Sequence, residues 1–341
     1  MLLLQIINQT MMAAGLAEWT AYRGSIPKLN HDDEERNPDF LTSAAGSHLA
    51  GQVVTHTRTI TARDGWKIPI RAYVRANQPP QAIVLFFHSG GFTSGSLETE
   101  DVSCRYIALG TPVVVVSVEY RLSPELQFPI PINDGLDVFH YVCNNVHEFI
   151  AATSPIDIVL SGTSSGGHLA AIISQHARSW LAAPENSKAA AHVTMAGILL
   201  RAPVTVNARD RAYIPPRWKE VHRSWDLMYK GAEHNRASMT YNHDSLGVPE
   251  DLITDPAAYP LWGDFAGLPR TYIQICGEDI LRDDAVCYAE GLREAGVEVK
   301  ETVYEDLPHI FWIHNHNLSV AKQAQQDCIS GLRWLLGSVK E

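Results

Sequence analysis

The chain has 341 residues, 45% of them hydrophobic and 19% charged, so it can bury a sizeable core as one large domain or one domain with an insertion. Its formal net charge of −11, with no basic run or basic-aromatic stripe, argues against a nucleic-acid partner. The five cysteines are scattered and form no CxxC pair, which argues against a disulfide framework or a zinc site and favours a reducing, cytoplasmic compartment.

The segment 1–50 is predicted to be an N-terminal cap segment. Its first residues, MLLLQIINQTMMAAG, have no positively charged region, and polar side chains interrupt the apolar stretch. This pattern predicts a mobile amphipathic helix rather than a signal peptide. No apolar run approaches the roughly 18 residues of a membrane-spanning helix, so we expect no transmembrane segment.

The remainder, 51–341, is predicted to be the catalytic domain, in which apolar segments alternate with helical patterns. The strand candidates are Gln52–Ile60, Trp66–Arg75, Ala82–His88, Pro112–Tyr120, Asp157–Ser161, Thr194–Arg201, Thr271–Cys276 and Val297–Glu305. The helical patterns cover about 98–109, 133–149, 166–181, 283–295 and 319–336. This alternation predicts an α/β fold with a mostly parallel sheet between helices. A turn at 62–65 joins the first two strands directly, so the leading edge should be antiparallel.

The stretch from about 203 to 258 interrupts the alternation. It has no clear strand, and it contains Pro215-Pro216 and several large aromatic residues. We predict a cap insertion that covers the active site together with segment 1–50, because ligands of α/β sheets bind at the carboxyl ends of the strands. Simple packing of the cap is the alternative role for its aromatic residues. The candidate substrate-pocket residues are Phe92, Trp218, Trp225 and Tyr229, and Trp19 and Tyr22 are the candidate cover aromatics of segment 1–50.

Gly162-Thr163-Ser164-Ser165-Gly166 is a G-x-S-x-G pentapeptide. It follows an apolar strand and precedes a helix rich in small residues, which is the context in which this motif holds a nucleophilic serine on a strained turn. We therefore predict that Ser164 is the nucleophile. A glycine-rich turn without chemistry is the alternative.

A second glycine-rich segment, His88-Ser89-Gly90-Gly91-Phe92, directly follows another strand. Acyl transfer builds negative charge on the carbonyl oxygen, and preorganised donors must meet that charge. Consecutive glycines allow the backbone to approach closely. We predict an oxyanion hole formed by the N–H groups of Gly90, Gly91 and Ser165, with an ordinary glycine-rich turn as the alternative.

These segments together resemble the hormone-sensitive lipase family of α/β-hydrolase-fold carboxylesterases. The matching segments, in the order of the family, are HSGGF at 88–92, YRLSPE at 120–125, GTSSGG at 162–167, DPAAYPL at 255–261, DILRD at 279–283 and HIF at 309–311. The resemblance runs from about 52 to 336. It implies an α/β-hydrolase fold with an eight-stranded sheet and a helical cap, serine esterase activity without a cofactor, and pairing of two chains as a homodimer.

The chain departs from the family pattern at four positions. Ser89 stands where the family has its first glycine, Thr163 replaces the aspartate before the nucleophile, and Ser165 replaces the usual alanine. Tyr259 replaces a small residue and could reshape the pocket. Because Gly90 and its neighbour remain, we expect little effect from Ser89, whereas the two hydroxyls beside Ser164 put the local hydrogen bonding and the rate in question.

A serine hydroxyl needs a general base, and in the α/β-hydrolase fold the acid and then the histidine follow the serine along the chain. His309 lies after the last strand, and Asp279 comes just beyond the strand that ends near Cys276 and matches the acid of the family. We predict that Asp279 orients His309, while Asp283 and Asp284 support the start of the next helix. His314 and His316 are close to His309, but no carboxylate or cysteine ligands accompany them, so we predict no metal site.

The predicted function is a serine carboxylesterase that hydrolyses esters of short-chain acids, or an acylated small metabolite, through an acyl-enzyme. Two alternatives stay open from the sequence. The same fold could catalyse acyl transfer, cyclisation or lyase chemistry. The chain could also be a non-catalytic ligand receptor, as the plant gibberellin receptors resemble this family without a working triad.

Overall fold

The computed structural model describes residues 2–25, 33–151, 155–227 and 235–337, with side chains from Ala14 and from Arg36 onward in the first two ranges. Eight strands form one sheet in the order β1-β2-β4-β3-β5-β6-β7-β8. They are β1 (Val53–Thr61), β2 (Lys67–Arg75), β3 (Ala82–Phe87), β4 (Val113–Val118), β5 (Ile156–Thr163), β6 (Val193–Arg201), β7 (Thr271–Glu278) and β8 (Val299–Pro308). The predicted α/β fold is confirmed.

The sheet is parallel except at its leading edge. Strands β1 and β2 pair antiparallel, and β2 pairs antiparallel with β4, whereas all later pairings are parallel. Between β1 and β2, Gly65 closes the hairpin with φ of +88° and donates its N–H to Ala62 O at 2.9 Å. The predicted mixed edge is confirmed.

The centre of the sheet is buried on both faces. Every residue of β3 and β4 is buried, because these two strands are continuous apolar or β-branched runs. The edge strand β8 instead has mostly exposed and partly buried positions, with only Tyr304 and Leu307 buried. The middle strands of the sheet therefore form the buried centre of the molecule.

Helices cover both faces of the sheet. They are α1 (Leu2–Ser25), α2 (Asp33–Thr42), α3 (Ser47–Gln52), α4 (Asp101–Gly110), α5 (Ile130–Asn144), α6 (Ser165–Ala182), α7 (Ser187–Ala190), α8 (Ser224–Leu227), α9 (Arg236–Leu246), α10 (Arg282–Glu294) and α11 (Ser319–Leu335). Short 3-10 turns lie at 146–148, 184–186, 211–213, 216–218, 250–252, 260–262 and 311–313. No helix of the described residues combines the length and apolar character needed to cross a bilayer.

The described part of 203–258 contains helices and loops but no strand. Two carboxylates at the start of α10 attach this stretch to the sheet domain. Asp283 Oδ2 accepts the N–H groups of Arg223 and Ser224 at 2.5 and 2.6 Å. Asp284 Oδ2 accepts the Thr205 N–H at 2.7 Å, and its Oδ1 lies 2.8 Å from Nε2 of the buried His222. Ser224, Thr205 and His222 are buried, so the carboxylates replace water for donors that would otherwise be unsatisfied.

Candidate active site

The chemically important segments all lie at one edge of the sheet. Ser164 follows β5, Asp279 follows β7, His309 follows β8, and the loop that begins with His88 follows β3. These four strands are parallel, so their carboxyl ends meet at the same edge. Residues that are far apart in the sequence are thereby brought together where α/β sheets bind ligands.

Ser164 occupies a strained turn between β5 and α6. Its φ and ψ are 55° and −116°, a conformation that non-glycine residues rarely adopt. The flanking glycines explain how the turn closes. A Cβ on Gly162 would lie 2.2 Å from the Gly166 carbonyl oxygen, and one on Gly166 would lie 2.0 Å from the Phe87 oxygen. Any larger residue at either position would force the serine out of place.

The three predicted triad residues meet at hydrogen-bond distances. Ser164 Oγ lies 2.9 Å from His309 Nε2, and His309 Nδ1 lies 2.5 Å from Asp279 Oδ2. The other carboxylate oxygen of Asp279 accepts the N–H of Leu281 at 2.9 Å, which fixes the orientation of the carboxylate. All three side chains are buried, so the contacts are shielded from competing water. With Nδ1–H donated to the carboxylate, Nε2 is left to accept the serine proton.

Gly90 and Gly91 lie in the loop after β3 and line the same cavity as Ser164 and His309. Their φ values are +132° and +60°, in the region that favours glycine. A Cβ on Gly90 would lie 2.0 Å from the Ser94 oxygen, so this backbone also excludes side chains. Within the described part of the chain, neither N–H donates to a protein acceptor. The backbone N–H of Ser165 belongs to the first turn of α6, where helices leave N–H groups without an internal partner.

A buried network links this loop to the turn that carries Ser164. Tyr120 donates its hydroxyl hydrogen to His88 O at 2.9 Å and stacks on the His88 ring at a centroid distance of 4.3 Å. The same hydroxyl lies 3.3 Å from Ser165 Oγ. Burial lowers the pKa of His88 to about 4, so the ring is neutral and donates Nδ1–H to Ser89 O. The serine at position 165 therefore supplies a contact that an alanine would lack.

Two other departures from the family pattern, Thr163 and Tyr259, do not line the cavity. Thr163 is fully buried, and its hydroxyl has no hydrogen-bond partner among the described residues. Tyr259 is also fully buried, with its hydroxyl 2.8 Å from Asn207 Nδ2 and 2.9 Å from His243 Nδ1. Tyr259 therefore supports the structure beneath the cavity rather than forming its wall.

A cavity of about 710 Å³ opens over the serine. One wall is apolar and consists of Leu16, Trp19, Ile310 and Ile313. A polar part of the lining has hydroxyl groups from the loop after β3 and an amide and a hydroxyl from α9; its residues are Thr93, Ser94, Thr99, Ser238 and Asn242. Four charged residues also line the cavity, namely Arg23, Arg36, Glu278 and Asp306. The volume lies within the range of small-molecule sites.

The predicted aromatic pocket residues are placed elsewhere. Phe92, Trp218 and Trp225 do not line this cavity; they are buried in the main hydrophobic core. Phe92 contacts His168 edge-on at 5.1 Å, and Trp225 contacts His222 at 4.5 Å. Full burial of a large apolar ring stabilises the fold more than exposure to an open cavity does. These three residues therefore have the alternative role considered from the sequence, which is packing. Tyr229 lies outside the described residues.

Sequence reasoning missed most of the cavity wall. Four residues of α1 line it at i, i+3, i+4 and i+7, namely Leu16, Trp19, Thr20 and Arg23. This helical spacing is a signal that the sequence contains. Only Trp19 was singled out, as part of a cover. Nothing in the sequence distinguished Ser238 or Asn242 from other polar residues of the insertion.

The two histidines after His309 have separate surroundings. His314 lines the cavity, and its carbonyl oxygen accepts the hydroxyl hydrogen of Tyr22 at 3.1 Å. His316 is buried, with Nε2 3.0 Å from Asn37 Oδ1. Burial lowers the pKa of His316 to about 3, so the neutral ring donates to Asn37. These contacts attach the N-terminal segment to the sheet domain.

A family profile and curated relatives both place this chain among proteins of the α/β-hydrolase fold. A family profile described as alpha/beta hydrolase fold matches residues 84–313. The versiconal hemiacetal acetate esterase of Dothistroma septosporum is 28% identical over 331 residues, covering 95% of this chain and 94% of the relative. Carboxylesterase NlhH of Mycobacterium tuberculosis is 31% identical over 237 residues, covering 68% of this chain and 67% of the relative.

A solved structure supports the same conclusion. The bacterial heroin esterase is 26% identical with a TM-score of 0.74, and the match covers 94% of this chain and 97% of that chain. The similarity therefore spans nearly the whole length of both chains.

Proposed function

Because this chain belongs to the α/β-hydrolase fold family, among the hormone-sensitive-lipase-like esterases, and is a carboxylic ester hydrolase, we propose that it works through a serine acyl-enzyme with Ser164 as nucleophile. The observation that carries this proposal is the contact of 2.9 Å between Ser164 Oγ and His309 Nε2. His309 is in turn held by Asp279. A receptor that only binds a ligand has no need for this arrangement.

The proposed reaction has two steps. Ser164 Oγ attacks the ester carbonyl carbon while His309 Nε2 takes the hydroxyl proton, and the oxyanion is stabilised by N–H groups of Gly90, Gly91 and Ser165. The tetrahedral intermediate collapses, and His309 returns the proton to the leaving alcohol. Water then attacks the acyl-enzyme, assisted by the same imidazole, and the acid is released.

The cavity supports a substrate that is compact and has two different sides. The leaving oxygen must reach His309 Nε2 for protonation, so the alcohol lies towards His309. The apolar wall is on this side, since Ile310 follows His309 directly and Trp19 contacts Phe311 at 6.3 Å. An aromatic or other bulky alcohol fits this wall. The acyl group then faces the loop of Gly90 and helix α9, whose cavity-lining side chains are polar.

Two relatives support an acylated small molecule rather than a long-chain lipid. One is named for versiconal hemiacetal acetate, and the structural neighbour is named for heroin. We therefore propose that the substrate is an ester of a short acid with a bulky small-molecule alcohol. We also propose that 1–50 and 203–258 act as the cap over this site. A cytoplasmic location and pairing of two chains stay predictions.

The nucleophile is tested with Ser164→Ala. We expect kcat for 1-naphthyl acetate to fall by about 10³-fold or more, because the acyl-enzyme cannot form. A fluorophosphonate probe should label the wild-type protein and not the variant. Ser161→Ala is a matched control, since Ser161 is buried on β5 three residues earlier.

Full activity or unchanged labelling of Ser164→Ala would refute the proposed nucleophile. Product analysis in the presence of a competing alcohol separates hydrolysis from acyl transfer. Release of the free acid as the main product supports the esterase, whereas a new ester as the main product supports transfer.

A further inference from the structure

Asn242 lies on helix α9 and faces the proposed oxyanion loop. A Cβ on Gly91 would lie 2.2 Å from Asn242 Nδ2 and 2.7 Å from Cγ. The side-chain amide thus occupies the space beside Gly91 that a Cβ would need, and Nδ2 is the atom nearest to that position. Asn242 also lines the cavity that contains Ser164 and His309.

Helix α9 holds this amide in a defined position. Its N-terminus carries a capping box in which Asn235 Oδ1 accepts the Ser238 N–H at 3.1 Å, and its C-terminus ends at Gly247 with φ of +67°. The Phe128 N–H donates to the Leu246 carbonyl at 2.8 Å, which attaches the helix to the sheet domain. The backbone that carries Asn242 is therefore fixed before any substrate binds.

The Asn242 side chain forms no hydrogen bond with any described residue, although the polar groups around it do. Ser238, on the same helix, uses its hydroxyl in the capping box, and His243 contacts the Tyr259 hydroxyl. A polar group that faces a cavity without a protein partner is available to a ligand.

The position of Asn242 determines which part of an ester it can contact. Four groups surround the carbonyl carbon in the intermediate, namely Ser164 Oγ, the oxyanion, the leaving oxygen and the acyl carbon. The leaving oxygen lies towards His309, and the oxyanion lies at the N–H groups of Gly90 and Gly91. Asn242 packs beside Gly91, and no contact among the described residues joins it to the residues around His309, so of the two ends of the ester we assign it to the acyl group.

We propose that Asn242 is a specificity-determining residue that donates a hydrogen bond from Nδ2 to an oxygen on the acyl chain of the substrate. The substrate class is then an ester of a short oxygenated acid, such as an alkoxy or hydroxy acid. This inference rests on the proposed function, because it assumes that the acyl group binds over Ser164.

The test compares p-nitrophenyl methoxyacetate with p-nitrophenyl butyrate. The two acyl chains have equal length, and an ether oxygen in the first replaces a methylene group in the second. Each kcat/KM is divided by the rate constant for hydroxide hydrolysis, which removes the intrinsic difference in reactivity. We expect wild type to prefer the methoxy ester by this measure. Asn242→Leu, of similar size, should reduce the preference about three- to tenfold, as expected for one neutral hydrogen bond.

Asn242→Asp provides a second variant of the same shape. It keeps acceptor oxygens but loses the donor, so it should also lose the preference for the ether oxygen. Tyr241→Leu is the matched control, since Tyr241 is the neighbouring residue on α9 and is 59% exposed. It should keep the wild-type ratio.

The inference is overturned if both Asn242 variants keep the wild-type preference for the methoxyacetate ester over the butyrate ester. It is also overturned if Tyr241→Leu loses this preference to the same extent as the Asn242 variants. Failure of the proposed function looks different. In that case wild type hydrolyses neither ester faster than Ser164→Ala does, and both proposals fall. If the wild type hydrolyses both esters and the Asn242 variants keep the same preference between them, only the specificity role of Asn242 is ruled out.

Discussion

The strand ends and the cap segments contribute to the same cavity in different ways. At the strand ends, His309 Nδ1 lies 2.5 Å from Asp279 Oδ2, and His309 Nε2 lies 2.9 Å from Ser164 Oγ. Each of these three residues directly follows a strand of the sheet. The cap walls from α1 and α9 instead present one face of a helix to the cavity. Proton transfer requires placement within a fraction of an ångström, whereas a substrate wall requires volume and polarity. We therefore propose that the strand ends carry the chemistry and that the walls from α1 and α9 carry the selectivity.

This contrast is clearest in the aspartates after β7. Asp279 belongs to the strand ends and contacts His309, while Asp284, five residues later, binds the N–H of Thr205 and the ring of His222 in the insertion. Both carboxylates are buried. Their roles differ because the chain turns into α10 between them, which directs one side chain to each region.

The largest effect is expected for Asp279→Asn. The amide oxygen would keep the N–H of Leu281, so the NH2 group would face Nδ1 of His309 and stabilise the wrong tautomer of the ring. We therefore expect kcat to fall about 10³- to 10⁴-fold. The measurement is kcat for 1-naphthyl acetate with the KM determined in parallel. Asp284→Asn is the matched control. It should lower the free energy of unfolding by about 1–3 kcal/mol through loss of charge-assisted contacts, and kcat should stay within about threefold. Equal losses of kcat in both variants would remove the distinction between the two regions.

A smaller effect is expected for His316, which contacts Asn37 of the N-terminal segment, and it concerns how the free energy of unfolding depends on pH. Burial lowers the pKa of His316 to about 3, whereas an unfolded histidine binds a proton near pH 6.5. The unfolded chain therefore gains protons first, and this contribution to stability is present above pH 6.5 and is lost as the pH falls from 6.5 towards 3. His316→Gln should reduce the slope of unfolding free energy against pH below 6 by up to about 1.4 kcal/mol per pH unit.

Urea unfolding at pH 7, 6 and 5 measures this slope. His88, His168 and His243 are buried with lowered pKa values of about 4, 3 and 3, so the variant should keep part of the acid sensitivity. His56→Gln, at an exposed position on β1, is the control and should keep the full slope. A slope that is the same in His316→Gln and in wild type would contradict the prediction.

The smallest effect is expected for Trp19→Ala in the cap wall. Loss of the indole removes apolar contact with a bulky alcohol, so kcat/KM for 1-naphthyl acetate should fall about three- to tenfold, whereas that for methyl acetate should change less than about twofold. Trp66→Ala is the control, because Trp66 is 51% exposed on the hairpin and does not line the cavity. An equal fall for both esters would place Trp19 outside the selective wall.

The sequence by itself determined the sheet and which residues meet at its edge. Continuous apolar runs such as those of β3 and β4 predict buried strands. The glycine-rich turn between a strand and a helix predicts the strained conformation of Ser164. These signals are local because they depend on backbone requirements, such as the absence of a side chain at Gly162 and Gly166. The eight strands and their mixed leading edge were predicted correctly for this reason.

Only the tertiary structure decided which residues form the cavity wall. Aromatic residues are common in substrate pockets, but the structure places Phe92, Trp218 and Trp225 in the core. No sequence pattern marks Asn242, yet it lies beside Gly91. The reason is that a side chain in a helix or loop meets the cavity or the core according to how that element packs against the sheet. Packing depends on contacts between distant segments, such as that of Asp284 with Thr205, and no local pattern records them.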